Sequence, residues 1–200
     1  MNIAVYCGSS PLALPHLKEA ARTLGTWIGQ SGHALVYGGS SIGLMGEVSA
    51  ATLAAGGEVY GVEPQFFIDA GVAQHDLTEL HVVETMEERK AMMIELADVF
   101  VALPGGVGTL EEISEIMSRI RLQMTPGPCY FLDLDGFYEG LSLLLDRMVE
   151  ARFIERGQVD AGFIMAKDVD ELIDLLSCHA EAPSGACAVP VVPESNLAMG

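Results

Sequence analysis

Leu103-Pro104-Gly105-Gly106-Val107-Gly108-Thr109-Leu110-Glu111-Glu112 joins two segments of different periodicity. Before it, Asp98-Val99-Phe100-Val101-Ala102-Leu103 is an apolar, β-rich run that reads as a buried parallel strand. After it, Leu110 to Leu122 carries Ile113, Ile116, Met117 and Ile120 at helical spacing. A strand, a tight glycine turn and a helix start together make an anion site. Glycine lets the backbone approach, and the first helical N–H groups favour negative charge. Thr109 is the expected N-cap, with a hydroxyl for either the helix or a phosphate. Glu112, one turn in, would hang near whatever that phosphate carries.

The same alternation recurs on both sides. Ile3 to Cys7 reads as a strand with Gly8-Ser9-Ser10 as its turn, followed by a helix from Pro11 to Gln30. Ala34 to Tyr37 is a strand closed by Gly38-Gly39-Ser40-Ser41-Ile42-Gly43, and Leu44 to Ala55 a helix. Val59 to Val62 is a strand broken by Pro64, and 65–78 a loop or short helix. Leu80 to Val83 then reads as a short strand and Met86 to Ala97 as a helix. Beyond the central stretch come a strand from Cys129 to Leu132, a helix from Phe137 to Ala151, a strand from Gly162 to Met165 and a helix from Val169 to Cys178. This predicts an α/β fold: a Rossmann-like, doubly wound and mostly parallel sheet with helices on both faces. The domain is expected over 1–180. The proline-marked segment 181–200 is expected to be a flexible tail. There is no internal repeat.

Composition narrows the function. The 200 residues are half hydrophobic, with 28 acidic side chains against 10 basic ones and a formal charge of −18. A nucleic-acid binder needs a basic face to displace counterions, which this chain has little to build from. No apolar run approaches the roughly 20 residues of a membrane span. Met1-Asn2-Ile3-Ala4-Val5-Tyr6 enters a strand with no signal-peptide pattern, and Cys7, Cys129, Cys178 and Cys187 show no disulfide or CxxC spacing. A cytoplasmic protein is expected.

Three glycine turns after three apolar strands share the carboxyl edge of a parallel sheet, where open α/β folds bind ligands. Together they point to a nucleotide or a sugar phosphate. The first turn lacks the dinucleotide fingerprint, and no P-loop Gly-Lys-Ser/Thr is present. Two side chains stay open at this level. Glu112 stands at capping-box spacing from Thr109, so it could satisfy an amide or do chemistry. Arg89 aligns with Met92, Met93 and Leu96 on an apolar stripe, where it would pair with an anion at the rim of the core, yet it could also be a solvated cation. Lys90 could assist it, or pair with Glu87 across one turn. The ten methionines read as core filler, and the five histidines show no metal-ligand spacing, so neither metal nor cofactor is expected.

Met86-Glu87-Glu88-Arg89-Lys90 followed by Pro104-Gly-Gly-Val-Gly-Thr-Leu-Glu-Glu112 resembles the paired motif of the LOG (Lonely Guy) family. Those proteins are cytokinin riboside 5′-monophosphate phosphoribohydrolases, often labelled lysine decarboxylases. Cys7-Gly8-Ser9-Ser10, the Tyr37–Gly46 turn and Asp135-Gly136-Phe137-Tyr138 extend the likeness over roughly Ile3 to Ile154. The resemblance implies a modified Rossmann fold, a homodimer and hydrolysis of the N-glycosidic bond of a nucleoside monophosphate without metal or cofactor. It implies Arg89 and Glu112 as catalytic residues. The substrate would be held by Gly8, Ser9, Gly39, Gly43, Met86, Lys90, Gly105, Gly106, Val107, Gly108, Thr109 and Ser118.

The chain departs from that pattern at Ser40, at Gly71, and at Arg119 and Arg121, which bring cations expected next to the site. A shifted base or ribose preference follows as an expectation. A non-catalytic nucleotide-binding or carrier protein could use the same glycine turns, but it would need neither Arg89 nor Glu112. A pyridoxal-phosphate decarboxylase needs a Schiff-base lysine, and Lys18, Lys90 and Lys167 sit in no context for one.

Overall fold

Seven of the apolar runs become strands: β1 (Asn2–Tyr6), β2 (Ala34–Tyr37), β3 (Glu58–Pro64), β4 (Glu79–Val83), β5 (Val99–Ala102), β6 (Cys129–Leu132) and β7 (Phe163–Ala166). The computed structural model describes residues 1–125 and 127–181, so all but the first residue of the expected tail lies outside the described residues. The strands form one sheet in the order β4-β3-β2-β1-β5-β6-β7, and every pairing is parallel. The order reverses between β1 and β5, which places a ligand crevice at their carboxyl ends.

Helices α1 (Pro15–Gln30), α2 (Gly43–Ala54), α3 (Gln65–Asp69), α4 (Met86–Leu96), α5 (Val107–Arg121), α6 (Glu139–Glu150), α7 (Arg156–Gly162) and α8 (Val169–Glu181) alternate with the strands. Strand side chains point to opposite faces in turn. Ile3, Val5, Leu35, Val99 and Val101 meet α1, α2 and α8 on one face. Ala4, Val36, Phe100 and Ala102 meet α4 and α5 on the other. The doubly wound arrangement expected from the sequence is present, with a sheet wholly rather than mostly parallel.

Several boundaries move for local reasons. Helix α1 starts at Pro15, whose fixed φ suits a first helical position, and not at Pro11. Helix α6 starts at Glu139 and not at Phe137, because Phe137 closes the 3-10 turn Leu134–Gly136 and Tyr138, at φ of −99° and ψ of 8°, is the cap residue. The short α3 falls within 65–78. Helix α7 was not expected: of its seven residues only Val159 and Gly162 are buried, so it carries no apolar stripe to read.

Candidate active site

The three glycine turns meet at the switch point. Gly8 N–H donates to the Pro104 carbonyl at 3.1 Å, and Leu44 N–H donates to the Gly8 carbonyl at 2.9 Å. Gly43 has φ of +64°, and a Cβ there would stand 2.4 Å from the Ser9 carbonyl carbon. Gly8, Ser9, Gly43 and Gly105 therefore line one crevice. The second turn is held from behind, where Gln74 N–H donates to Gly39 O at 2.8 Å and Ser41 N–H to Val72 O at 2.9 Å.

Thr109 is not an N-cap. Helix α5 begins at Val107 with Gly106 as its cap residue, so Thr109 is the third helical residue. Gly106 is extended and caps the helix without a side chain, and the free first-turn amides belong to Val107, Gly108 and Thr109. The Thr109 side chain is buried and folds under Gly105, where a Cβ would lie 2.2 Å from its Oγ1. With the cap at Gly106, Glu112 sits too far into the helix to close a capping box with Thr109. The capping box near the site belongs to α4: Glu88 N–H donates to Thr85 Oγ1 at 3.1 Å, and Thr85 N–H to Glu88 Oε2 at 3.2 Å. It fixes the first turn of α4, from which Arg89 departs.

Arg89 and Glu112 come together, both buried, with Arg89 Nη1 3.5 Å from Glu112 Oε1. Two backbone bonds hold the guanidinium: Nε donates to Val62 O and Nη2 to Gly38 O, each at 3.1 Å. Gly38 makes room for it, since a Cβ there would stand 1.7 Å from Nη2. Burial pushes the Glu112 carboxyl above the usual carboxylate range, and Arg89 pulls it back. Met86 touches the pair through its sulfur, 3.9 Å from Arg89 Nη1.

Lys90 pairs with Glu111, and with Glu115 at 3.1 Å, across to α5 rather than with Glu87. Arg119 joins the same cluster, 2.7 Å from Glu115. Burial would raise the Glu115 carboxyl, but Arg119 and Lys90 together hold it below its ordinary value. Arg121 is not next to the site. With Arg152 and Arg156 it lines a cavity of about 510 Å³ where the C-terminal end of α5 meets the start of α7. Ser118 is exposed two turns beyond Glu112 and makes no contact with Arg89 or Glu112 among the described residues. Gly71 has φ of +73° in the turn after α3, and Ser40 is buried in an antiparallel bridge with Ala73. Beside the Gly105–Thr109 turn is a second cavity of about 370 Å³, lined by Val107, Leu110, Phe137, Tyr138 and Leu141.

Two side chains at the site escaped the sequence. Glu63, the last residue but one of β3, is 1% exposed, with Oε2 free of any hydrogen bond among the described residues. Burial raises its carboxyl to about 7 against an ordinary 4.5, and Arg89 opposes the rise. The signal was present as a lone acid at the end of an apolar run. Tyr6, on β1, likewise keeps its hydroxyl buried without a partner, and its phenol is raised by burial first and then by Glu112. Nothing in the run Ile3–Tyr6 separates it from core.

Residues 45–176 match the family model described as "Possible lysine decarboxylase". A cytokinin riboside 5′-monophosphate phosphoribohydrolase from Rhodococcoides fascians is 39% identical over 173 residues, covering 86% of this chain and 87% of that one. Relatives of the same name from Mycobacterium marinum and Arabidopsis thaliana (LOG5) are each 37% identical, the first over 90% of this chain and 93% of its own, the second over 94% and 82%. Among solved structures, the molybdenum cofactor binding protein of Rippkaea orientalis aligns with a TM-score of 0.66 at 22% identity, over 90% of this chain and 96% of that one. A molybdenum cofactor carrier protein from Chlamydomonas reinhardtii has the same TM-score and identity, over 88% and 96%. Likeness at that identity is a likeness of fold.

Proposed function

The chain belongs to the LOG family, and from that premise we propose that it hydrolyses the N-glycosidic bond of a nucleoside 5′-monophosphate, giving a free base and ribose 5-phosphate. The substrate is AMP or a cytokinin riboside monophosphate. The observation that carries the reading is the buried Arg89–Glu112 pair, 3.5 Å apart, beside a helix start whose first amides face the crevice.

The phosphate is gripped by the Gly105–Thr109 turn, with Gly8, Ser9, Gly39 and Gly43 closing around the nucleotide and Lys90 lending a cation nearby. The bond from C1′ to the base nitrogen breaks with its electron pair going to the base, leaving an oxocarbenium-like sugar. Glu112, as a carboxylate, stabilises that positive charge, orients the water that adds to C1′ and takes its proton, and a proton returned to the departing nitrogen completes the free base. Burial raises its basicity, which suits a general base, and Arg89 opposes the rise. Arg89 holds the substrate and supports the departing base. The apolar cavity lined by Val107, Leu110, Phe137 and Leu141 offers room for an apolar substituent on that base.

Decarboxylation through a lysine Schiff base does not suit these residues. Lys90 is held as an ammonium by its hydrogen bond to Glu111, Lys167 is exposed, and Lys18 Nζ donates to the Pro11 carbonyl. We infer a homodimer formed through the exposed apolar side chains Val107 and Leu110 of α5, Phe137 in the turn before α6, and Leu143 and Leu144 of α6. Sedimentation would test it, and a monomer at micromolar concentration would refute it. A cytoplasmic home fits the free thiols at Cys7, Cys129 and Cys178.

The deciding experiment is chromatographic detection of free adenine from AMP and from isopentenyl-AMP, for wild type and Glu112→Gln. Release by wild type that collapses in the variant supports hydrolysis by Glu112. Nucleotide binding without release by either protein would make the chain a carrier.

A further inference from the structure

Arg89 has a second carboxyl beside it that the hydrolysis scheme leaves unused. Glu63 follows Val62 near the end of β3, and the Val62 carbonyl accepts from Arg89 Nε. The two side chains flank the same two-residue turn. Gly38 clears space for the guanidinium. Gly39, at φ of +83°, clears space for Glu63, whose Oε2 would lie 2.5 Å from a Cβ there. A carboxyl so placed should have a reason to be there, since burying an unsatisfied polar atom is costly. Core packing alone would be better served by an apolar residue.

We propose that Glu63 is a positioning residue for Arg89: a second carboxyl that competes with Glu112 and the substrate anion for the guanidinium. This rests on the hydrolytic reading of the site. When Glu63 is neutral, Arg89 is free to serve Glu112 and the nucleotide. When Glu63 is ionised, it adds a negative charge behind the turn, draws on Arg89 and opposes the bound phosphate. Burial raises this carboxyl to about 7, so the exchange between the two states falls near neutral pH.

Among the described residues, Arg89 is the charge that acts on Glu63, while Asp76, in the loop before β4, acts with Glu63 on the Tyr37 phenol. From β2 comes the Tyr37 phenol, raised by burial and engaged with Gln74 at 3.1 Å. Glu47 of α2 is turned to Arg22 at 2.8 Å, and Asp69 of α3 to Gln65 at 2.8 Å. On β4 the residue paired with Glu63 is Val82, while His81 and Glu79 lie 3.5 Å from each other. Arg89 of α4 is the cation that acts on it.

The test compares wild type with Glu63→Gln and Glu63→Met, measuring kcat and KM for adenine release from AMP between about pH 5.5 and about pH 8.5. AMP's own phosphate titration is common to all three proteins and cancels in the ratio. The variant-to-wild-type ratio of kcat/KM is expected to rise roughly tenfold from the acid to the alkaline end, the scale of one charge removed near an ionic site. Two neutral replacements of different polarity should give the same rise. A ratio constant with pH in either folded variant would overturn the proposal and leave Glu63 a structural residue. If wild type releases no adenine, the hydrolytic reading fails by itself. AMP affinity measured by calorimetry over the same pH range then decides Glu63 by the same ratio.

Discussion

Replacing Gly38 by alanine should disable the site with one methyl group. Gly38 does not sit in the left-handed region, so the backbone tolerates alanine and only contact is at issue. The new Cβ would stand 1.7 Å from Arg89 Nη2 and 2.8 Å from Cζ. Restoring ordinary contact moves the guanidinium by about 1.7 Å, since non-bonded heavy atoms settle near 3.4–4.0 Å. That breaks the bonds to Gly38 O and Val62 O, both 3.1 Å, and opens the approach to Glu112. Hydrogen bonds from charged donors are worth roughly 1.5–3 kcal/mol each, and the displaced side chain regains part of this from water. The expected destabilisation is therefore about 2–4 kcal/mol. Ångström-scale misplacement of a catalytic group costs about 100-fold in rate. The assays are thermal unfolding and adenine release from AMP. Gly140→Ala on α6 is the control: a Cβ there meets nothing, and it should stabilise by about 0.5–1 kcal/mol. Wild-type unfolding and wild-type release in Gly38→Ala would refute the reasoning, because Arg89 would then not occupy the space Gly38 clears.

Further outcomes concern the neighbouring groups. Folding raises the Glu63 carboxyl from 4.5 to about 7, so the folded chain holds that proton more tightly and stability falls as pH rises between those values. Glu63→Gln should therefore gain stability over wild type at pH 8, by up to about 3 kcal/mol, and lose that advantage at pH 4; equal differences in unfolding at both would contradict it. Gly105→Ala pushes a methyl to 2.2 Å from Thr109 Oγ1 and should raise the KM for AMP at least tenfold, read from initial rates; an unchanged KM would mean that the turn does not hold the phosphate. Lys90→Met removes a partner of Glu111 and Glu115, but Arg119 keeps Glu115 paired. Stability should change by less than about 1 kcal/mol while KM for AMP rises, and a large fall in melting temperature would instead make Lys90 a structural cation.

What the sequence made legible was whatever repeats at a fixed period or stands in a glycine turn. The runs around β1, β2, β5 and β6 are apolar throughout because both faces of the sheet are covered, and such runs are easily read. Their order, and hence the switch point, depends on which strands pair across long gaps in the chain, which no local pattern records. Arg89 and Glu112 stood out as charges at the start of apolar helices, and the geometry joins them. Thr109 misleads because a threonine before an apolar run is a common cap, whereas here the extended Gly106 is the cap and Val107 and Gly108 already take helical geometry ahead of Thr109. Lys90 finds its partners on α5, far from Glu87 in sequence. Glu63 escapes because the proline ends the expected strand at Val62, two residues before β3 stops at Pro64. Ser118 is expected from the resemblance and Arg121 from a departure from it, but helical rotation and length carry both away from the Arg89–Glu112 pair.

Gly38 and Gly39 also constrain how this chain can change over time. Each is carved to the side chain it faces, so Gly38 and Arg89 form one inherited unit, and Gly39 and Glu63 another. Within a lineage, alanine at 38 should become tolerable only after the arginine has gone. A side chain at 39 would have to await both the loss of the acid and a backbone that leaves the left-handed region. The order of substitution is thus fixed by sterics: the large partner is surrendered first, activity with it, and only then is the glycine free to drift. A descendant that kept Gly38 but had lost Arg89 would be a site recently abandoned, and one with both replaced would be a site abandoned long before.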